Sequence, residues 1–104
     1  MIFHLWIDDM RQPPYKENLF AFKNAETAIE WLNKNHHSII NEDVIKIYLD
    51  HDLGYGKTGY DFAKWFVEWN LDKNFSMTFH VLSNNPVGVF NIRQLFSHYG
   101  YKEF

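Results

Sequence analysis

Acidic residues follow two apolar segments of the sequence. Asp8 and Asp9 come directly after a run that ends at Ile7, and Asp50-His51-Asp52 follows a second run that ends at Leu49. Carboxylates held close together repel one another unless protons or a cation neutralise them. Oxygen ligands without cysteine suit Mg²⁺ or Mn²⁺. We therefore expect a divalent metal site whose ligands are Asp8, Asp9, Asp50 and Asp52.

His51 stands between two of these carboxylates. In an extended segment Asp50 and Asp52 point to one side and His51 to the other, so the three side chains need not bind the same ion. A histidine beside a hydrated cation is suited to proton transfer. We expect Asp50 and His51 to be the catalytic residues, and the alternative for His51 is to favour Mn²⁺ at the site.

A third apolar segment ends at Ser83-Asn84-Asn85, which Pro86 follows. Asn85 is suited to cap a helix and Pro86 to occupy its first position. Ser83 and Asn84 are then left beside a helix N-terminus, where anions are favoured. We expect these two residues to bind phosphate.

Two basic residues are further candidates for phosphate binding. Arg11 follows the first acidic pair and can hold a phosphate with two parallel hydrogen bonds. Lys57 lies in a glycine-containing loop, Leu53 to Gly59, from which it can reach a substrate. This loop is not a nucleotide-triphosphate motif, because His51 stands where that motif requires a glycine.

The elements that must position these residues alternate between strands and helices. The apolar segments read as three strands, a short edge strand precedes the first helix, and three helices begin after Asn24, Thr58 and Asn85. Such alternation predicts parallel strands with right-handed crossovers and helices on the faces of an open sheet. The crevice of such a sheet lies outside the carboxyl ends of its strands, where the candidate residues occur. The predicted strands are Ile2–Ile7, Leu19–Phe22, Val44–Leu49 and Met77–Leu82.

The length and composition restrict the function further. The 104 residues fit a single domain, and 46% of them are hydrophobic. A net charge of −3 argues against duplex DNA as a partner, and the absence of cysteine excludes disulfides and thiol catalysis. No apolar segment is long enough to span a membrane, and no secretory signal is evident, so we expect a soluble, cytoplasmic protein of undefined oligomeric state.

The motifs together resemble the cyclic-phosphate-processing receiver-like domain family, a compact relative of response-regulator receivers. The resemblance covers nearly the whole chain, in the family's order. It implies one flavodoxin-like α/β domain over residues 1–104, a three-layer sandwich with a short, mostly parallel four-stranded sheet. The residues that carry it are Ile7-Asp8-Asp9-Met10-Arg11, Leu49-Asp50-His51-Asp52-Leu53-Gly54, Thr58-Gly59-Tyr60-Asp61 and Ser83-Asn84-Asn85-Pro86-Val87-Gly88 with Asn91.

This resemblance implies a phosphoesterase that uses Mg²⁺ or Mn²⁺ to open a cyclic phosphate on an RNA terminus or a small nucleotide. One alternative is a module that binds such a phosphate without cleaving it, because Leu82 stands where the family is expected to place a histidine. The other is a switch phosphorylated on Asp50 or Asp52. That alternative ranks last, because the sequence shows no fifth strand behind Lys102.

Overall fold

Five parallel strands and three helices alternate along the chain. The computed structural model describes residues 1–104. The strands form one sheet in the order β2-β1-β3-β4-β5. The strands are β1 (Ile2–Ile7), β2 (Leu19–Phe22), β3 (Val44–Leu49), β4 (Ser76–Val81) and β5 (Lys102–Glu103), and the helices are α1 (Ala25–Asn35), α2 (Gly59–Lys73) and α3 (Pro86–His98).

The helix starts are those that the sequence predicts. The side chain of Asn24 accepts a hydrogen bond from the N–H of Thr27 at the start of α1. Thr58 and Asp61 form a reciprocal capping box at the start of α2. Asn85 caps α3, with Pro86 in the first turn. Each cap satisfies backbone N–H groups that a helix leaves without partners.

All three helices pack on one face of the sheet. After β2, each helix connects a strand to a later strand that lies further toward the β5 edge of the sheet. Because such connections are right-handed, every helix lies on the same side. The connection from β1 to β2 moves the other way, and it is the proline-containing loop 8–18 rather than a helix. The α/β receiver-like class expected from the sequence is confirmed, with this loop in place of a helical layer on the second face.

Alternation along the strands separates the two faces. The rows that contact the helices are apolar and buried, for example Leu5, Ile47 and Phe79, which are neighbours in register. Phe62, Phe66 and Phe96 of the helices complete this core. We call the opposite side the open face, and its residues are Ile2, His4, Trp6, Leu19, Ala21, Val44, Lys46, Tyr48, Ser76, Thr78, His80, Lys102 and Phe104.

The sheet has one strand more than the four expected from the sequence. Lys102 and Glu103 pair with Thr78 and Phe79 of β4. Two residues are too short for an alternating hydrophobic pattern, and both are exposed, so the sequence carried no signal for this strand. No helix combines the length and the apolar character that a membrane crossing requires.

Candidate functional site

The site lies at the carboxyl edge of the sheet, between β1 and β3. The strand order changes direction here, because β2 lies on one side of β1 and all later strands lie on the other side. Loops that leave neighbouring strands in opposite directions open a crevice between them. Asp8 and Asp9 follow β1, and Asp50 follows β3, so the topology delivers acidic residues to both sides of the crevice.

Three carboxylates meet there. Each of Asp8, Asp9 and Asp50 offers an oxygen within 4.8 Å of the others. Asp8 and Asp50 are buried, and Oδ1 of Asp9 is shielded from solvent without a hydrogen-bond partner. Asp52, the fourth predicted ligand, is exposed and stands outside this group. The structure therefore brings together three of the four predicted metal ligands.

Asp8 is fixed in its charged form by its own loop. Its Oδ1 accepts hydrogen bonds from the N–H groups of Met10 (2.8 Å) and Arg11 (3.0 Å). Burial alone would raise the pKa of Asp8, but these N–H groups and the Arg11 guanidinium outweigh it and hold the pKa below its usual value. Asp8 is thus a carboxylate in the folded protein.

For Asp50, the effects that raise the pKa outweigh those that lower it. Burial raises the pKa of Asp50, and the negative charge of Asp8 raises it further. The N–H of Asp52, 3.3 Å from Oδ1, and the Arg11 guanidinium only partly offset this. The fold therefore stabilises the charged form of Asp8 and destabilises the charged form of Asp50.

Arg11 supplies the positive charge within the cluster. Its Nη1 lies 3.0 Å from Oδ2 of Asp8 and 3.8 Å from Oδ2 of Asp50. The hydrogen bond to Asp8 raises the pKa of the guanidinium. One guanidinium against three carboxylates leaves two negative charges, which one divalent cation would neutralise. Hard carboxylate donors and the unpartnered oxygen of Asp9 fit Mg²⁺ or Mn²⁺.

A cavity of about 480 Å³ opens onto the three carboxylates. Ser83 and Asn84, the predicted phosphate-binding residues, line the same cavity. The hydroxyl of Ser83 accepts a hydrogen bond from the N–H of Asn85 at 3.0 Å, and its own hydrogen bond to Asp50 favours the charged form of that carboxyl. With one apolar residue among eight, the lining suits a phosphate better than a base. The lining residues are Asp9, Met10, Arg11, Asp50, Asp52, Gly54, Ser83 and Asn84.

His51 does not line this cavity. Its imidazole lies against Gly88 in the first turn of α3, and its Nδ1 is shielded from solvent with no hydrogen-bond partner. The expected alternation of side chains after β3 thus turns His51 away from the cavity. Its predicted role in proton transfer remains a hypothesis.

Lys57 is also outside the cavity lining. Its N–H donates to Oε2 of Glu26 at 3.2 Å, which ties the loop before α2 to the start of α1. The Lys57 side chain is exposed. The contact with Glu26 joins positions 31 apart in the sequence, so the sequence pattern could not reveal it.

Three residues at or beside the site were given no role in the sequence analysis. Met10 and Gly54 line the cavity, and Gly54 has a φ of 75°, a conformation that favours glycine. Gly88 is needed because a Cβ there would overlap the ring of His51. Both glycines belong to quoted motifs, but their steric purpose depends on contacts between loops.

Comparison with known proteins supports the resemblance drawn from the motifs. A family model described as the cyclic-phosphate processing receiver domain matches residues 3–98. That range includes the carboxyl ends of all three strands that border the cavity. Neither the curated proteins nor the solved structures provide a match.

Proposed function

Because the chain belongs to the cyclic-phosphate processing receiver domain family, we propose that it is a divalent-metal-dependent phosphoesterase. Its substrate is a cyclic phosphate on a small nucleotide or an RNA terminus. The observation that carries this proposal is the meeting of Asp8, Asp9 and Asp50 in a polar cavity faced by Ser83 and Asn84. Hydrolysis of a phosphate ester requires a cation site and groups that bind the phosphate, both within one cavity.

The reaction adds water across one P–O bond of the ring. The water oxygen bonds to phosphorus, the ring oxygen leaves and takes a proton, and a phosphomonoester results. A bound Mg²⁺ or Mn²⁺ would acidify water and neutralise developing negative charge. Asp8, Asp9 and Asp50 would hold this cation, and Mn²⁺ is the stronger-binding of the two.

The other lining residues bind and orient the phosphate in this proposal. The Asn84 amide donates hydrogen bonds to its oxygens, Arg11 adds a charged donor, and the Ser83 hydroxyl rotates from Asp50 to donate to the phosphate. Asp52 lines the cavity but lies outside the three-carboxylate cluster, and in this proposal it accepts a proton from water. His51 acts as a positioning residue, because its ring contacts Gly88.

The test is hydrolysis of a 2′,3′-cyclic mononucleotide, with products separated by chromatography, in Mg²⁺, Mn²⁺ or chelator. We expect metal-dependent formation of a monophosphate. Asp9→Asn should reduce turnover at least about a hundredfold, because it removes a cation ligand. Asp72→Asn on the exposed end of α2 is the matched control and should leave turnover unchanged. Equal turnover by wild type and Asp9→Asn would contradict the proposal.

His51→Ala separates positioning from proton transfer. We expect a loss of no more than about tenfold, with the pH profile of kcat unchanged. Proton transfer by the imidazole would instead give a loss of about 10²- to 10⁴-fold and remove one limb of the profile. That result would restore His51 to the catalytic role predicted from the sequence.

A binding module without catalysis is the second candidate. Two observations favour it. Leu82 stands directly before Ser83, where the family is expected to place a histidine. In addition, His51 does not line the cavity. Calorimetry that shows saturable binding of the cyclic nucleotide, with intact ligand recovered afterwards, would favour this candidate. Absence of both binding and turnover would contradict the two functions together.

A further inference from the structure

The open face of the sheet carries a group of aromatic rings. Aromatic rings from neighbouring strands meet there: the centroids of His4 and Tyr48 are 5.9 Å apart, and those of Tyr48 and Phe104 are 5.2 Å apart. His80 extends the row, with its ring 5.8 Å from Phe104. Trp6 lies beside Tyr48 at 5.3 Å. The result is a continuous aromatic track across four strands.

The charges on this face are positive although the chain is acidic overall. Lys46 and Lys102 project from it, and Nζ of Lys46 is 4.6 Å from the centre of the Phe104 ring. None of the 13 acidic residues is among the open-face residues. Glu103 approaches His80 to 4.0 Å, but its other oxygen is held by Arg93 of α3 at 2.8 Å. The face therefore complements a polyanion rather than a cationic partner.

No helix covers this track. The three crossovers place all helices on the opposite side, and the loop after β1 contacts this face at Trp6, whose Nε1 donates to the carbonyl oxygen of Arg11 at 3.1 Å. Phe104 is 44% exposed, and His4 and His80 are partly exposed. Trp6 and Tyr48 are buried, at 8% and 9% exposure, so the rings available for stacking are those of His4, His80 and Phe104.

We propose that the open face binds single-stranded nucleic acid, with bases stacked on the exposed rings of His4, His80 and Phe104 and phosphates near Lys46 and Lys102. Exposed rings interleaved with cations on a sheet are suited to single strands, because every base has a face that can stack. A duplex buries those faces, and the chain lacks the broad positive field that a duplex requires. This site is separate from the acidic cavity and goes beyond the proposed hydrolysis.

The experiment is fluorescence anisotropy with a labelled oligouridylate of about ten nucleotides that ends in a hydroxyl group, so that the acidic cavity has no terminal phosphate to bind. We expect a Kd of about 10⁻⁴ to 10⁻⁶ M at about 50 mM salt. Affinity should fall about tenfold at about 200 mM salt, as expected for two or three neutralised phosphates. A duplex of the same length should bind at least about fivefold more weakly.

Charge reversal locates the site. The double variant Lys46→Glu/Lys102→Glu should weaken binding at least about tenfold, and Phe104→Ala at least about fivefold. Lys34→Glu reverses one lysine on α1, on the other side of the sheet, which is half of that charge change, and should change affinity less than about twofold. Circular dichroism checks folding, and Lys46→Gln/Lys102→Gln replaces the reversal if it unfolds.

The failure of this inference is distinct from failure of the proposed hydrolysis. No oligonucleotide binding at about 100 μM protein, or equal loss in Lys34→Glu, would overturn the inference while mononucleotide turnover persists. Dimerisation in sedimentation experiments that Lys46→Glu/Lys102→Glu abolishes would assign the face to a second copy of the chain and also overturn it. A comparison of RNA and DNA strands identifies which nucleic acid binds better.

Discussion

Gly88 and His51 lie so close together that no side chain fits between them. A Cβ built on Gly88 would come within 2.9 Å of the Cβ of His51 and closer still to its ring. This contact joins the first turn of α3 to the loop after β3. Ser83 lies in the loop just before α3, and Asp50 lies in the loop after β3, so the contact joins two parts of the chain that lead to the cavity.

Gly88→Ala tests this contact. We expect a loss of about 1–3 kcal/mol in the free energy of unfolding, because the added methyl group forces the imidazole or α3 to move. His51→Ala combined with Gly88→Ala should recover most of that loss, a coupling of about 0.5–3 kcal/mol in a double-mutant cycle measured by urea denaturation. Ser97→Ala on the exposed side of α3 is the control. Additive effects of the two substitutions would contradict the contact.

Asp50→Asn should stabilise the metal-free protein near neutral pH. A carboxyl whose pKa is raised on folding contributes stability that is full below its ordinary pKa of 3.8 and is lost as the pH rises through the raised value. Removing the charge removes this loss, so Tm in chelator should rise, by about 4–8 °C for each kcal/mol.

The pH dependence provides the check on that prediction. Below the ordinary carboxyl pKa, Asp50 is neutral in the wild type, so the Tm values of wild type and Asp50→Asn should converge in acid. Asp72→Asn, at an exposed site, should match the wild type throughout. A lower Tm for Asp50→Asn near pH 7 would show that its hydrogen bonds outweigh its repulsion from Asp8.

Arg11→Ala should affect the cation and the phosphate in opposite directions. Removal of the guanidinium takes a positive charge from beside Asp8 and Asp50, so Mn²⁺ should bind more tightly. The cyclic substrate loses a charged donor, and KM should rise about tenfold or more. Calorimetry and steady-state kinetics measure the two effects, and Arg93→Ala, on α3, is the control. Parallel changes in both affinities would contradict this arrangement.

Much of the scaffold could be predicted from the sequence because its signals are local. The capping residues Asn24, Thr58 and Asn85 act within three residues of their partners, and the strands are mostly apolar. The strand that begins at Ser76 differs from its predicted start by one residue. The meeting of the acidic residues follows from parallel topology, since both segments leave carboxyl ends of adjacent strands.

The remaining features depend on contacts distant in sequence. The orientation of His51 is set by Gly88, and the position of Lys57 by Glu26. The one-sided arrangement of helices follows from strand order, which the sequence pattern leaves open. Phe90 has helical spacing with the core residues but is 62% exposed, because α3 turns Ile92 and Phe96 inward instead.

The central claim is that Asp8, Asp9 and Asp50 bind one divalent cation in the cavity. Titration of the metal-free protein with Mn²⁺, followed by electron paramagnetic resonance of the free ion, tests it directly. We expect one ion per chain, with affinity reduced at least about tenfold in both Asp9→Asn and Asp50→Asn. Asp72→Asn should bind as the wild type does. Absence of a Mn²⁺ site in the wild type, or undiminished affinity in Asp9→Asn and Asp50→Asn, would contradict the account.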